Sequence, residues 1–374
     1  MTTFVEWLRA GIDSRAREGL LRRLKPRTAG SKAVDLAGND YLGLAADPRV
    51  VAAAVSAARE WGAGATASRL VTGTTALHDE LEEALADFCG QPAALVFSSG
   101  YLANLGVVTS LGGPDALIVS DAHNHASLID GCRLSRSRVA VVPHGDVAAV
   151  DAALAGRAEA RALVLTESIF SALGDAAPLA ELAAVCARRD AVLVVDEAHG
   201  VGVTGGGRGS VAAAGLAGAP HVVVTATLSK ALGSQGGVVL GPAELREYLI
   251  NRARTFFFDT GLAPAAAGAA LAAVRIAAAE PDRVAQIATT GALLAGVVGV
   301  PAPAAAVLAV PMPGPVQAVE AAARCADEGV LIGCFRPPSA PDGTSQLRVT
   351  ARAGLEPDQL SRAVEVLEMV VRRG

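Results

Sequence analysis

Apolar residues along the 374-residue chain fall into two kinds of run. Short unbroken runs recur through its middle: ALVF (94–97), ALIV (116–119), VAVV (139–142), LVLT (163–166), VLVV (192–195), HVVV (221–224) and GVVL (237–240). A strand with one face in water alternates apolar and polar side chains, whereas an unbroken run marks a strand covered on both faces. Helix-sized segments separate these runs, so the pattern predicts an α/β unit with a largely parallel sheet. GVVL follows HVVV too closely for a helical crossover and is expected to run antiparallel.

The second kind of run has helical spacing. Asp47 and Pro48 form an N-cap and first helical position for a helix reaching Gly62. Leu77, Leu81, Leu85 and Phe88 mark one face of another helix. Pro357 opens a third, with Leu360, Val364, Leu367 and Val371 as its apolar stripe. GVLIGCF, QLRVT and one short strand inside PAPAAAVLAVPMPGP (301–315) complete a small C-terminal α+β domain. The expected division is an N-terminal helical segment over 1–40, a large α/β domain over 41–265 and a small domain over 266–374.

Composition narrows the function classes. A chain 52% hydrophobic with 40 glycines is globular rather than disordered. No stretch of 18 strongly apolar residues occurs, and the N-terminus carries charges where a signal peptide needs an apolar core, so a cytoplasmic protein without a membrane partner is expected. A net charge of −5 argues against a nucleic-acid binder. Cys89, Cys132, Cys186, Cys325 and Cys334 are odd in number and lack a CxxC pair, which predicts buried free thiols rather than disulfides or a zinc cage.

Four stretches carry chemistry. TATLSKALGSQGG (225–237) holds Lys230, one of only three lysines, with Lys25 and Lys32, among 32 basic residues. Arginine supplies charge but cannot become a nucleophilic amine, whereas a desolvated lysine can, so Lys230 is a candidate Schiff-base lysine. VLVVDEAHG (192–200) ends a strand in Asp196, with His199 three residues on, where α/β sheets place ligand groups. Its DEAH string also occurs in helicase-type ATPases, but these need a GxxxxGK[ST] loop that none of the three lysines provides. In DAHNHASLIDG (121–131), His123 and His125 would share one face of a strand and with Asp121 could suggest a metal, yet no third firm ligand stands at fixed spacing, so no metal is expected and a histidine stacked on a planar ligand, or one satisfied structurally, suits the pattern better. SSGYLANLG (98–106) follows a strand, and its small residues and helix start suit a phosphate at Ser99, Gly100 and Tyr101. An amine, a carboxylate, a stacking ring and a phosphate cradle are together what pyridoxal phosphate requires.

NDYLGL (39–44), DAHNHASLIDG, TESIFSALGD (166–175), VVDEAHGVGVTGGGRG (194–209) and TATLSKALGSQGG resemble, in this order over nearly the whole chain, motifs of the α-oxoamine synthases, fold-type I pyridoxal-phosphate enzymes. The resemblance implies an acyltransferase with a mostly parallel seven-stranded sheet in its large domain. FRPPSAPDGTSQLRVT (335–350) is most similar to members that condense L-alanine with pimeloyl-CoA, or pimeloyl-acyl-carrier protein, in biotin synthesis. A sister synthase using glycine or serine with another acyl-CoA, such as 2-amino-3-ketobutyrate CoA ligase, is the alternative.

Carried over by motif, Lys230 bears the cofactor, Asp196 pairs with its pyridine nitrogen, His199 contacts its ring hydroxyl and His125 stacks on its ring. Ser99, Gly100 and Tyr101 lie at its phosphate end. Ser171 and Thr227 contact it, and Thr260 reaches the phosphate of a neighbouring subunit's cofactor, which implies a homodimer with shared active sites. Arg22, Asn39, His125, Arg348 and Thr350 face the substrate. The chain departs from the family pattern with FSALGD in place of FSMDGD and with Leu228 and Ser229 ahead of the lysine, which bears on how the acyl chain is gripped.

Overall fold

The computed structural model describes residues 3–372. Among them, eleven strands form two sheets: β1 (Val34–Leu36), β2 (Ala93–Phe97), β3 (Ala116–Asp121), β4 (Arg138–Val142), β5 (Arg161–Glu167), β6 (Val192–Asp196), β7 (Val222–Thr227), β8 (Gly237–Gly241), β9 (Val307–Met312), β10 (Val330–Phe335) and β11 (Ser345–Thr350). The larger sheet has seven strands in the order β2-β8-β7-β6-β5-β3-β4. Its pairings are parallel from β7 through β6, β5 and β3 to β4, while β8 runs antiparallel to both neighbours, as its short connection requires.

Unbroken apolar runs have a simple explanation here. Successive side chains point to opposite faces, and in the inner strands both faces are dry, whereas the edge strand β4 departs from the expectation: its run VAVV leaves Val139 and Val141 exposed. Leu95, Ile118, Leu163, Val194, Val223 and Val239 pack into a cluster with Ala103, Val107, Leu128 and Leu249 from helices on one side. Their neighbours Val96, Leu117, Val119, Val164, Val195, Val224 and Leu240 point into the larger cluster on the other side.

The helix Pro48–Trp61 begins as its sequence dictates: the Asp47 side chain accepts from the amide of Arg49, Pro48 stands in the first turn and Gly62 closes it. Leu81, Leu85 and Phe88 are buried on the helix Ala76–Cys89. In the helix Pro357–Leu367 the fully buried residues are Ala363, Val366 and Leu367, followed by Val370. The expected stripe of Leu360, Val364, Leu367 and Val371 is therefore rotated, with three of its members at the edge of the buried face. Small Ala363 faces the core, and a π-type turn over Glu368–Arg372 changes the spacing after Leu367.

The smaller sheet, β1-β10-β11-β9, draws on both ends of the chain. Segment 1–40, expected to be helical, is helical over Phe4–Arg17, but Val34–Leu36 pairs in parallel with Val330–Ile332. The helix Pro264–Ala279 lies against the helices Pro48–Trp61 and Ala76–Cys89, so the first turns beyond residue 265 stay with the layer covering the large sheet. Four of the five thiols are buried and Cys334 is half-buried.

One glycine ties this packing to the strand ends. A Cβ on Gly237 would lie 2.3 Å from the carbonyl oxygen of Ser99 and 2.5 Å from the amide nitrogen of Gly100. Both neighbours are backbone and cannot rotate away. Gly237→Ala is expected to destabilise the fold by about 1–3 kcal/mol, as overpacking of a tight interior does, in a urea unfolding titration, and to weaken retention of any ligand held at Ser99 and Gly100.

Candidate active site

In a parallel sheet, the carboxyl ends of the strands share one edge. Here β5 ends in Glu167, β6 in Asp196 and β7 in Thr227, and β2 leads into the helix Gly100–Leu111. These ends enclose a cavity of about 250 Å³ whose walls include Ser99, Gly100, Tyr101, Asn104, His125, Glu167, Asp196, Thr227 and Lys230.

At the helix start, the Ser99 hydroxyl accepts from the amide of Leu102 at 3.2 Å. The amides of Gly100 and Tyr101, in the first turn, have no intrahelical acceptor and face outward from the helix N-terminus. A Cβ on Gly100 would sit 3.0 Å from Cβ of Thr227, so glycine permits this approach of helix to strand. The Thr227 hydroxyl donates to the carbonyl of Gly236 at 3.0 Å and accepts from the amide of Ser229 at 3.2 Å, shaping the turn that presents Lys230.

Asp196 is buried and held by two donors. Its Oδ1 accepts from the amide of Ala198 at 2.9 Å and its Oδ2 from Nδ2 of Asn104 at 2.7 Å. Asn104 also donates to Ser127 at 2.8 Å and accepts from Thr225 at 2.5 Å, which fixes its amide. His125 caps the helix Ala126–Ser135, its Nδ1 accepting from the amide of Ser127 at 3.3 Å. Its ring stands edge-on to Tyr101, 6.5 Å between centroids. His123 does not share a strand face with it: β3 stops at Asp121, and His123 stacks on His144 at 4.1 Å.

Nζ of Lys230 lies 2.8 Å from Nε2 of His199. Burial pulls the amine down to about 8, Asp196 and Glu167 oppose that shift, and Arg348 adds to it. His199 is held well below the ordinary imidazole range by burial, then by the positive charges of Lys230 and Arg348. Glu167, 2% exposed, is pushed up to about 8 by burial and by Asp196. The amide of Ser171 donates to its Oε2 at 3.1 Å, while its Oε1 is buried with no hydrogen-bond partner among the described residues.

The small sheet contributes Arg348, 3% exposed. Its Nε donates to the carbonyl of Ser171 at 2.9 Å and its Nη1 to Oδ1 of Asn39 at 3.0 Å. Ser171 thus meets the site through its backbone. Thr350 stands beside this group, its hydroxyl donating to the carbonyl of Gly38 at 2.9 Å.

Two expected residues stand apart from the cavity. Thr260 is exposed, its amide donating to Asp259 at 3.0 Å. Arg22 is also exposed, donates to Ser339 at 3.0 Å and lines a separate groove beside the helix Pro315–Asp327. Sequence reasoning missed Asn104, Glu167 and Tyr41, the last fully buried with its hydroxyl 2.7 Å from Nδ1 of His199. Asn104 is a lone amide in an otherwise small and apolar helix, and Glu167 is a carboxylate ending a buried apolar run. These two were legible signals, because a buried polar group requires a partner or a task; Tyr41 offered none.

A family model described as "Aminotransferase class I and II" matches residues 31–367. The chain is 58% identical over 367 residues to an 8-amino-7-oxononanoate synthase of Mycobacterium sp. (strain JLS), covering 98% of this chain and 96% of the relative. Among solved structures it resembles a serine palmitoyltransferase from S. paucimobilis with bound PLP and myriocin, at 30% identity and a TM-score of 0.89, covering 98% of this chain and 97% of that one. It also resembles an 8-amino-7-oxononanoate synthase from Francisella tularensis at 26% identity and a TM-score of 0.77, covering 91% and 98%. With this fold, this cavity and these relatives, the chain belongs to the class I and II aminotransferase family and, within it, to the 8-amino-7-oxononanoate synthases.

Proposed function

We propose that this chain condenses L-alanine with a pimeloyl thioester, giving 8-amino-7-oxononanoate, carbon dioxide and the free thiol of CoA or an acyl carrier protein. The cofactor is pyridoxal phosphate. The observation that carries the reading is one cavity holding a weakly basic lysine amine, a buried carboxylate fixed by two donors and a helix N-terminus. These groups fit the cofactor: outward amides at Gly100 and Tyr101 suit its phosphate, Asp196 its ring nitrogen and Lys230 its aldehyde. When bound, pyridoxal phosphate supplies an aldehyde that takes up the amino group and an electron-poor ring that withdraws electrons from the α-carbon.

The protein's own groups do the rest. Asp196 keeps a proton on the ring nitrogen, and Asn104 keeps that carboxylate aimed. Arg348, with Asn39, takes the alanine carboxylate, since a guanidinium fork matches a carboxylate in geometry and charge. Lys230 would hold the cofactor's aldehyde and, as a free amine, would take the proton from the α-carbon of alanine; its lowered basicity places it near the operating pH where a general base works best. His125 covers the ring face, and His199 and Thr227 complete the contacts. Thr350 belongs to the substrate side, and Arg22, which lies in a separate groove, is assigned to the substrate by its motif alone.

We also propose that the enzyme works in the cytoplasm as a homodimer with Thr260 reaching the partner's site. Supporting this are the exposure of Thr260, the neighbouring Phe258 at 70% exposure, and the helix Phe4–Arg17, which buries none of its apolar residues. No described helix is long and apolar enough to cross a membrane.

Incubating the loaded enzyme with pimeloyl-CoA and L-alanine, glycine or L-serine is expected to release thiol with alanine. Release with glycine or serine but not alanine would assign the chain to a sister synthase instead. Lys230→Ala is expected to lower turnover at least about 100- to 10,000-fold, the usual contribution of a positioned base; wild-type turnover in that variant refutes the assignment. A lowered amine is free above its own midpoint, so in cofactor-stripped protein acylation of Lys230, followed by peptide mapping, should rise with pH through a midpoint near 8.

A further inference from the structure

The hydrogen bonds around Tyr41 leave little freedom in where its proton goes. Tyr41 is 0% exposed, so its hydroxyl depends on protein partners. Arg348 donates from Nη1 to Asn39 at 3.0 Å and from Nη2 to the Tyr41 oxygen at 3.1 Å. A guanidinium has donors only, so the Asn39 atom facing it is the amide oxygen. That same oxygen lies 2.9 Å from the Tyr41 oxygen. Two oxygens at this separation need a proton between them, and only Tyr41 has one to give. The Tyr41 oxygen, already accepting from Arg348, lies 2.7 Å from Nδ1 of His199, which must therefore be the donor there. A neutral imidazole with its proton on Nδ1 presents a bare Nε2, and Nε2 lies 2.8 Å from Nζ of Lys230. Every direction in the chain from Arg348 to Lys230 follows from the one residue that can only donate.

We infer that Tyr41 is a positioning residue that couples Arg348 to Lys230, setting the proton of His199 on Nδ1 so that the charge state at Arg348 is felt at the lysine nitrogen. This rests on the proposed reading, in which Arg348 takes the alanine carboxylate. A carboxylate on Arg348 neutralises the buried guanidinium and competes for its Nη donors. The Tyr41 oxygen then loses a positive neighbour and accepts more strongly from His199, so Nε2 becomes a better acceptor, toward Lys230 directly or, in the loaded enzyme, toward the ring hydroxyl, whose greater negative charge favours a proton on the adjoining Lys230 nitrogen. Arrival of the substrate carboxylate thereby raises the proton affinity of the base at the moment it must take the α-proton. The charged and titratable groups facing Lys230 are Asp196, Glu167, His125, His199 and Arg348. Tyr41 touches only the last two of these.

The coupling is read in the holoenzyme without turnover, because the visible absorbance of the bound cofactor titrates with the proton on the Lys230 nitrogen. Propionate serves as a carboxylate that has no amino group. In the wild-type enzyme, saturating propionate is expected to raise the titration midpoint by about one unit, the scale on which a neighbouring charge acts. Tyr41→Phe, which keeps the ring and removes the hydroxyl, is expected to bind propionate but to lose most of that shift. Asn39→Asp places a carboxylate beside Arg348 and is expected to show the raised midpoint without propionate and little further change with it. An equal propionate shift in Tyr41→Phe, no shift in the wild type, or an unshifted Asn39→Asp overturns the inference. A protein that takes up no visible cofactor instead overturns the reading beneath it, so the two failures are distinct. Should Tyr41→Phe not fold, Asn39→Asp alone decides.

Discussion

The desolvation of a lysine amine governs the rest of this structure. An ammonium removed from water is costly, and the cost appears here as a basicity lowered to about 8. Desolvation of this kind needs protein close around the amine, which stands half-buried at the cavity wall. The seven-stranded sheet supplies the floor, helices on both faces keep that floor dry, and the small sheet brings Arg348 over the top. The same dryness acts on the neighbours with opposite sign: it raises Glu167 and lowers His199, because in each case the charged form is the one that loses water. Asp196 is held by Asn104 and the Ala198 amide.

The start of the chain is what joins the two sheets at the site. β1 pairs with β10, and the residues that follow it supply Asn39 and Tyr41. The carbonyl of Tyr41 accepts from the amide of Ala353 at 2.8 Å, and Gly38 accepts from Thr350. Tyr41 therefore has its backbone anchored to the small sheet's chain and its side chain on His199, which belongs to the large one. From the other direction, Gln346 donates to the carbonyl of Ala172 at 2.5 Å and Arg348 to that of Ser171. The TESIFSALGD loop departs from the family pattern close to these contacts, so its backbone is under two constraints: Glu167 below and β11 above.

What was legible in the sequence was whatever depends on local physics. Unbroken apolar runs marked the strands, for the inner ones because burial on both faces leaves no polar alternation; edge strand β4 carries such a run with Val139 and Val141 exposed. Asp47, Pro48 and Gly62 marked a helix because capping is a contest over a few backbone groups close in sequence. The short link before GVVL settled an antiparallel pairing because no crossover fits in it. The apolar stripe near the C-terminus was read less well: small Ala363 packs where bulkier residues were expected, since the choice of face depends on which neighbour arrives.

Lys230, Asp196 and His125 were found because each is chemically odd in its own stretch, and a lysine kept in an arginine-rich chain is visible without a fold. Their meeting in one cavity was a matter of tertiary structure, as were the contacts of Asn104, Glu167 and Tyr41. Nothing within NDYLGL reveals that its tyrosine lies between an arginine 307 positions away and a histidine 158 positions away. Hydrogen bonds act over about 3 Å in space and carry no trace of separation along the chain. The sequence by itself therefore determined which chemistry was present, and the tertiary structure decided which groups are deprived of water together and so which protons they hold.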